Sequence, residues 1–332
     1  MAVEAGDAPR ILILRRDNIG DLACTTPLID AIRARLPRAW LGALVTTYNA
    51  EVLARNPALD AVIAYEKLKH RSGGLVAHLS RRLGQMAQLR REKPDLVLVP
   101  APAPQSLKLA RSLRPGRVVA APLNFPAGMH EVERCFGLGA SLGVAGKPGP
   151  LRIFADRAKA EELRRRVGEG PWVAVHISAR RPAQQWPLER YAALVREIAA
   201  RERVILLWAP GSRDNPRHPG DDEAAARILR EASADAVVPV ETPDLATLIA
   251  ALSIAERVIC PDGGAMHLAA GLGKPVVALF GDSPVARWRP WGVPHCVVRP
   301  ESGNLADLPL QAVADAYLEL RRQSAAPPSR AG

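Results

Sequence analysis

The sequence has little of what marks several classes of protein. Aromatic residues make up only 4% of its 332 residues, which leaves few platforms for stacking single-stranded nucleic acid. The four cysteines lie far apart and form no Cys-x-x-Cys or Cys/His cluster, so no zinc or iron–sulfur site is expected. No apolar run approaches the roughly 20 residues that span a bilayer, and no basic and apolar signal segment is found. These absences predict a soluble, cytoplasmic protein that at most lies on a membrane surface.

A dinucleotide-binding loop is also missing. The loop after the first predicted strand lacks Gly-x-Gly-x-x-Gly, the spacing that lets a pyrophosphate approach the backbone. The one similar run, residues 137–143, follows helical sequence rather than a strand, and its glycine spacing differs. A dehydrogenase is therefore disfavoured.

Positive charge is abundant. Lysine and arginine total 45 against 34 acidic residues, a formal net charge of +11, which favours anionic partners such as phosphates, nucleotide diphosphates or acidic lipid. A nucleic-acid role has no motif to support it. Basic residues crowd part of the first half, as a solvated helix face or as a surface for an anionic ligand: Lys67, Lys69, Arg71, Arg81, Arg82, Arg90 and Arg91.

Short apolar runs alternate with helical periodicity, which predicts parallel sheets covered by helices on both faces. The series restarts near residue 171, so we expect two Rossmann-like domains with a cleft between them. A solvated helix is expected over 156–167, a last helix with the apolar stripe Leu310, Val313, Tyr317 and Leu320, and a disordered tail over 324–332. The predicted strands are 11–14, 41–45, 61–64, 96–99 and 118–121, then 173–176, 204–207, 237–240, 258–260 and 276–280.

Ligands of open parallel sheets bind outside the carboxyl ends of the strands, so we expect catalytic and binding residues in the loops there. In the first such loop Gly20 lets the backbone turn and Asp21 follows it. Asp21 is either a capping carboxylate at a helix N-terminus or a general base that accepts a proton from an attacking hydroxyl. Spacing alone favours the cap. Asp17 is a second candidate base and more typical of a turn.

The loop after the strand at 173–176 is rich in polar side chains. Ser178 offers a hydroxyl, and Arg180 and Arg181 offer cations, so the segment is either a solvated basic loop or a diphosphate site. Farther on, Asp222 or Glu223 could meet ribose hydroxyls, or could simply charge the first turn of a helix.

The most informative stretch begins where the strand at 258–260 ends. Asp262 precedes Gly263 and Gly264, which open a helix whose free N–H groups favour an anion such as a pyrophosphate. His267, in the first turn, can donate to the same anion or can pack within the fold. The Asp-Gly-Gly arrangement at a strand end favours binding.

Taken together these motifs resemble the glycosyltransferase family 9 heptosyltransferases, over roughly residues 11–320. The motifs are Arg15…Asn18-Ile-Gly-Asp21…Thr-Thr-Pro27, His176…Trp186-Pro187, and Asp262-Gly-Gly264…His267-Leu-Ala-Ala…Gly273-Lys-Pro-Val-Val-Ala-Leu-Phe-Gly281. The resemblance implies an α/β fold of the GT-B type, two Rossmann-like domains facing each other across a cleft. It implies an acceptor-binding domain over 1–165, a nucleotide-sugar domain over 166–305, and a helix over 306–323 returning to the first domain.

The resemblance also implies site roles and a reaction. Asp21 matches the catalytic base, with Arg15, Asn18 and Gly20 in the active-site loop. The implied activity is inverting, metal-independent transfer of heptose from ADP-heptose to a lipopolysaccharide inner-core acceptor, with no cofactor. No Asp-x-Asp motif of the metal-dependent glycosyltransferases is found. The implied partners are a nucleotide-sugar donor and an anionic glycolipid, with peripheral contact at the inner membrane. The donor-site residues are Ser178, Arg180, Arg181, Gln184, Glu223, Asp262, Gly263, Gly264 and His267.

Two positions depart from the family pattern. Gln184 stands where a lysine is usual, and Gly263 where serine or threonine is common. A glutamine cannot neutralise a diphosphate, so Arg180 or Arg181 is expected to supply that charge. The departures leave open a relative that uses another nucleotide sugar or a different acceptor. A non-catalytic nucleotide-sugar binder is a third reading, which the presence of Asp21 disfavours.

Overall fold

The computed structural model describes residues 8–65, 84, 87, 89–215, 220–232 and 235–325. The chain divides into two compact units between Ile153 and Phe154. Of the basic residues singled out above, those at 67, 69, 71, 81 and 82 lie outside the described part of the chain, as does most of the predicted tail.

The first unit is built on a five-stranded parallel sheet in the order β3-β2-β1-β4-β5. Strand β1 is central, and Ile11 to Leu14 on it are almost fully buried because helices cover both faces. The strands are β1 (Arg10–Leu14), β2 (Trp40–Thr46), β3 (Ala61–Tyr65), β4 (Leu96–Val99) and β5 (Arg117–Ala120). The helices are α1 (Ile19–Ala23), α2 (Thr26–Arg35), α3 (Pro104–Ser112) and α4 (Glu131–Phe136), with 3-10 turns at Ala50–Val52 and Gly137–Leu142.

The second unit repeats the plan with a six-stranded parallel sheet in the order β11-β10-β9-β6-β7-β8. Its strands are β6 (Trp172–His176), β7 (Arg203–Trp208), β8 (Val237–Glu241), β9 (Arg257–Pro261), β10 (Val276–Leu279) and β11 (His295–Val298). Its helices are α5 (Arg157–Val167), α6 (Leu188–Ala199), α7 (Asp222–Ala232), α8 (Leu245–Ile254), α9 (Gly264–Gly271), α10 (Val285–Trp288) and α11 (Leu310–Ala325). Short 3-10 turns lie at Pro182–Gln184 and Leu305–Asp307.

All ten predicted strands are present, and the α/β prediction with two Rossmann-like domains is confirmed. Strand β11 was missed because it is a four-residue edge strand whose side chains are only half buried, so its apolar signal is weak.

The division between the units falls earlier than the expected boundary at 165, which lies inside α5. The carboxylate of Asp156 caps that helix by accepting from the N–H groups of Ala158 and Lys159. Helix α5 packs beside α8, and it therefore belongs to the second unit.

The last helix also belongs to the second unit. Val313, Tyr317 and Leu320 are buried in the apolar cluster formed by β6, β7 and α6, which confirms the predicted apolar stripe. Helix α11 contacts α6, β10 and β11 of its own unit. The return of this helix to the first domain stays a prediction.

All four cysteines lie in the described part of the chain and are free thiols. Within the same residues, every helix is too short or too polar to cross a bilayer.

Candidate active site

In the first unit the loop after β1 is organised around one buried guanidinium. The side chain of Arg15 is only 1% exposed, and it donates to carboxylates on three different residues. Its Nε bonds Asp17 at 2.9 Å, and its Nη2 bonds Asp21 at 2.9 Å and Glu131 at 2.8 Å. Its Nη1 donates to the Cys135 Sγ at 2.8 Å. Arg15, which was expected in the active-site loop, bonds carboxylates at both ends of that loop and one on helix α4.

This guanidinium orients the carboxylate of Asp21. One oxygen accepts from Arg15 and the other accepts from the Asn18 amide at 2.9 Å. With one donor on each oxygen the carboxylate plane is fixed, while its side chain stays 14% exposed. A fixed and partly exposed carboxylate at the carboxyl edge of a parallel sheet has the geometry of a general base.

The capping interpretation of Asp21 is not supported by the local backbone. Helix α1 has Asn18 as its N-cap, so Asp21 lies in the first turn and its side chain bonds Arg15 and Asn18. Gly20 was expected to allow a sharp turn. It is instead a buried residue of helix α1, and its φ is not positive.

Neighbouring strand ends support the same loop. The Asn49 amide, in the turn after β2, donates to the Asp17 carbonyl oxygen at 3.3 Å, and its own oxygen accepts from Thr46. The Arg16 guanidinium donates to the Tyr65 hydroxyl at the end of β3 at 2.7 Å. The loop after β1 is thus bonded to the turn after β2 and to the last residue of β3, at the carboxyl ends of parallel strands.

Helix α4 contributes two more charged residues to this network, Glu131 and Arg134. Glu131 accepts from Arg15 and from Arg134, whose Nη2 lies 2.6 Å from Oε1. Burial alone would raise the pKa of Glu131, but the hydrogen bonds and charges of these two guanidiniums outweigh it and lower the pKa to about 2. Burial raises the pKa of the adjacent Cys135 thiol to about 11, so that thiol is neutral near pH 7.

In the second unit, loops at the carboxyl ends of β6, β9 and β10 meet around Asp262. The carboxylate of Asp262 is 8% exposed and accepts from the Gln184 amide at 3.0 Å. Burial raises its pKa, opposed by the Ser283 hydroxyl, the Arg181 charge and the Gln184 amide. Gln184, in place of the family lysine, is therefore a buried hydrogen-bond donor to the motif aspartate.

Arg181 brings positive charge to this cluster. Its guanidinium donates to the Ser283 hydroxyl at 2.6 Å and pairs with Asp282 at 3.0 Å, and it lies 3.9 Å from Asp262. The side chain is 51% exposed, so an anionic ligand can reach it. Of the two arginines expected to replace the missing lysine, Arg181 therefore lies within ion-pair distance of Asp262.

Helix α9 begins beside Asp262. Gly264 is its first residue and Gly263 its N-cap, whose backbone is extended, and a Cβ built on Gly263 would meet no atom within 4 Å. The predicted helix start is confirmed. His267 is buried in the first turn, with its ring edge-to-face against Trp288 at a centroid distance of 6.0 Å.

Ser178 and Asp222 hold together the loops that follow β6 and β7. The Ser178 hydroxyl accepts from the Ala209 N–H at 2.8 Å and hydrogen-bonds Asp221, which ties the loop after β6 to the loop after β7. Glu223 is exposed on α7. Its neighbour Asp222 accepts from the Trp208 indole at 2.8 Å and from the Gly211 N–H at 2.9 Å.

Sequence reasoning missed several members of these clusters. Asp282 and Ser283 lie in the loop after β10, where ligand-binding residues of a parallel sheet are expected, so the sequence carried a signal for them. Glu131 and Arg134 stand three residues apart on one helix, but no local signal connects them to Arg15. Within the described residues, no group of three or more His, Cys, Asp or Glu side chains is placed to hold a metal.

Comparison with known proteins places the chain in a family. The model of glycosyltransferase family 9 (heptosyltransferase) matches residues 117–317. Lipopolysaccharide heptosyltransferase 2 of Salmonella typhimurium is 25% identical over 296 residues, covering 82% of this chain and 83% of that protein.

Solved structures share the fold. A glycosyl transferase family 9 protein from Veillonella parvula has a TM-score of 0.79 at 19% identity, covering 97% of this chain and 99% of that one. The Escherichia coli heptosyltransferase WaaC with ADP has a TM-score of 0.76 at 20% identity, covering 94% and 99%.

Proposed function

Because the chain belongs to glycosyltransferase family 9, the heptosyltransferase family, and is a glycosyltransferase, we propose that it transfers heptose from ADP-heptose to a lipopolysaccharide inner-core acceptor. The similar Salmonella protein is a lipopolysaccharide heptosyltransferase, and the similar WaaC structure holds ADP. These relatives supply the candidate donor and acceptor.

The orientation of Asp21 carries the proposal. Its two oxygens are held by Arg15 and Asn18, each at 2.9 Å, and its side chain keeps some exposure at the carboxyl edge of the first sheet. In the proposed reaction Asp21 accepts the proton of the acceptor hydroxyl while that oxygen attacks the anomeric carbon. The bond from that carbon to the diphosphate breaks, and the configuration inverts.

The second unit supplies groups for the leaving diphosphate. Free N–H groups of the first turn of α9 and the half-exposed Arg181 guanidinium meet the negative charge that develops as the bond breaks. We assign donor binding to this unit, with Asp262, Gln184 and His267 shaping the pocket. Fixed dipoles and cations of this kind can do the work of a divalent ion, so the proposed reaction needs no metal.

The first unit is assigned to the acceptor. A lipopolysaccharide precursor carries phosphates and sugar-acid carboxylates, which a basic surface attracts. Arg90 and Arg91 are exposed in the described part of this unit. Peripheral contact with the cytoplasmic face of the inner membrane follows from an acceptor of this kind.

Replacement of one carboxylate tests the assignment. Asp21→Asn keeps the shape of the side chain but removes the proton acceptor, so we expect kcat to fall roughly 1,000-fold. Asp17→Asn is the matched control, because Asp17 also bonds Arg15 but is not the proposed base. It should lower kcat less than about tenfold.

Heptose transfer would be followed by mass spectrometry, and donor affinity by calorimetry. Donor affinity should be the same in both variants. Near wild-type turnover by Asp21→Asn would remove Asp21 from the mechanism.

A second candidate is a family 9 transferase with another donor or acceptor. Gln184 and Gly263 favour it, because both depart from the family pattern next to Asp262. A panel of nucleotide sugars and acceptors, scored for transferred mass, separates the two candidates. Donor binding without any product would instead support a non-catalytic binding protein.

A further inference from the structure

A buried carboxylate on helix α4 is linked to the proposed base through Arg15. Glu131 is fully buried, and its Oε1 accepts from the same Arg15 nitrogen, Nη2, that donates to Asp21. A carboxylate of this depth costs free energy unless it is paired, and it is paired on both sides by guanidiniums.

We propose that Glu131 is a positioning residue for catalysis, which acts through Arg15 to fix the place and the charge of Asp21. The proposal rests on the proposed function, since it assumes that Asp21 is the base. Glu131 itself touches no substrate in this account.

The geometry supports a positioning role because one nitrogen serves two carboxylates. Arg15 Nη2 lies 2.9 Å from the Asp21 oxygen and 2.8 Å from the Glu131 oxygen. Its position is set jointly by a carboxylate that is fully buried and by one that is partly exposed. The buried partner is itself bonded by two guanidiniums, so it anchors the guanidinium that orients Asp21.

Helix α4 holds Glu131 rigidly. His130 caps the helix, with its Nδ1 accepting from the Val132 N–H at 3.1 Å, and Glu133 bonds back to the His130 N–H at 2.8 Å. Glu131 is the first helical residue, so this capping box fixes the backbone that carries it. Arg134 then bonds both Glu131 oxygens, at 3.0 and 2.6 Å.

Removing the charge of Glu131 and removing the charge of Arg134 should have opposite effects on the electrostatic potential at Asp21. Removing the negative charge of Glu131 leaves Arg15 to the aspartates alone, which strengthens the attraction between its guanidinium and the Asp21 carboxylate. Removing the positive charge of Arg134 has the reverse effect. Among the described residues, the groups that interact with Asp21 or with its partners include Arg15, Asp17, Asn18, Cys24, Thr25, Glu131, Arg134 and Cys135.

The test compares Glu131→Gln with Arg134→Gln. For Glu131→Gln we expect kcat to fall roughly 10- to 100-fold, since a small displacement of a catalytic group has effects of this size. The pH of half-maximal kcat on the acid side should move down by roughly one unit. For Arg134→Gln that pH should move up. Donor affinity, measured by calorimetry, should equal that of the wild type in both.

A purely structural role would change the amount of active enzyme without moving the pH profile. Unmoved profiles in both variants, or shifts of the same sign, would therefore overturn the proposal. Thermal unfolding monitors folding, and the calorimetric stoichiometry corrects kcat for the fraction of active protein. Asp21→Asn is run beside them. If it retains activity the proposed function fails, whereas an inactive Asp21→Asn with unmoved profiles rejects only the role of Glu131.

Discussion

The two candidate sites hold their carboxylates in opposite ways. Asp21 is bound by a guanidinium that is almost fully buried and already shared with two other carboxylates. Asp262 is bound by a neutral amide, and its nearby guanidinium, Arg181, is half exposed. In the first site the guanidinium is fully paired with carboxylates of the protein, whereas in the second the guanidinium is accessible to solvent.

This difference fits the two kinds of chemistry proposed. A base must be oriented before the substrate arrives, and a buried charge network provides that orientation without reorganisation. A site for a dianionic leaving group needs positive charge that is not fully used inside the fold. Arg181 pairs with Asp282, and both side chains are about half exposed, so this ion pair is weak and can be exchanged for a ligand.

The largest expected contrast between the units is their response to acid. In the second unit, burial lowers the pKa of His176 from 6.5 to about 4, so the folded state resists protonating it. Its contribution to stability is complete above pH 6.5 and is lost as pH falls toward 4, by about 3 kcal/mol. In the first unit, Glu131 has its pKa lowered from 4.5 to about 2, so its contribution is lost only between pH 4.5 and 2.

His176→Phe measures this contrast. Between pH 6.5 and 4 the free energy of unfolding should fall less steeply with acid in the variant than in the wild type. Urea titrations followed by tryptophan fluorescence report the second unit, where Trp172, Trp186 and Trp208 are buried. Equal slopes in this pH range would show that His176 is protonated in the folded state as readily as in the unfolded chain.

A smaller effect is expected from the backbone packing that shapes the second site. A Cβ on Gly281 would lie 2.4 Å from the Ala183 carbonyl oxygen, in the turn that carries Gln184. Gly281→Ala should therefore destabilise the protein by about 2 kcal/mol and weaken donor binding, because the turn must move.

Gly263→Ser is the matched change for Gly281→Ala. It restores a residue common in the family, its backbone is extended, and its Cβ would occupy open space. Stability within about 0.5 kcal/mol of the wild type is expected. Calorimetric donor titrations and thermal melts of both variants decide whether backbone packing shapes this site, and equal effects of the two changes would contradict it.

The smallest predicted effect concerns the solvent-accessible positive charge of the second site, Arg181. Arg181→Ala should weaken donor affinity by about tenfold, or about 1.4 kcal/mol, since it removes one charge-assisted hydrogen bond to the diphosphate. Arg180→Ala, one residue away, is the control and should change affinity less than about threefold. The same titrations give both values, and equal losses would assign the missing charge to the loop as a whole.

The sequence alone determined the two sheets and most of their strands. Continuous apolar runs such as 11–14 and 276–279 are buried on both faces of parallel sheets, and that pattern is local and strong. It also determined which loops to search, because the carboxyl ends of parallel strands share one edge. Asp21, Asp262 and the start of α9 were found in this way.

Tertiary structure alone decided how these side chains are used. Arg15 and Glu131 are 116 positions apart, and their pairing depends on the packing of helix α4 against α2, which no local periodicity encodes. The same holds for Gln184 and Asp262, which are 78 positions apart. From its residue type Gln184 was only a missing positive charge, whereas the structure shows it as a buried donor to Asp262. Propensity acts over a few residues, whereas the field at a buried carboxylate is set by whatever groups folding brings near it.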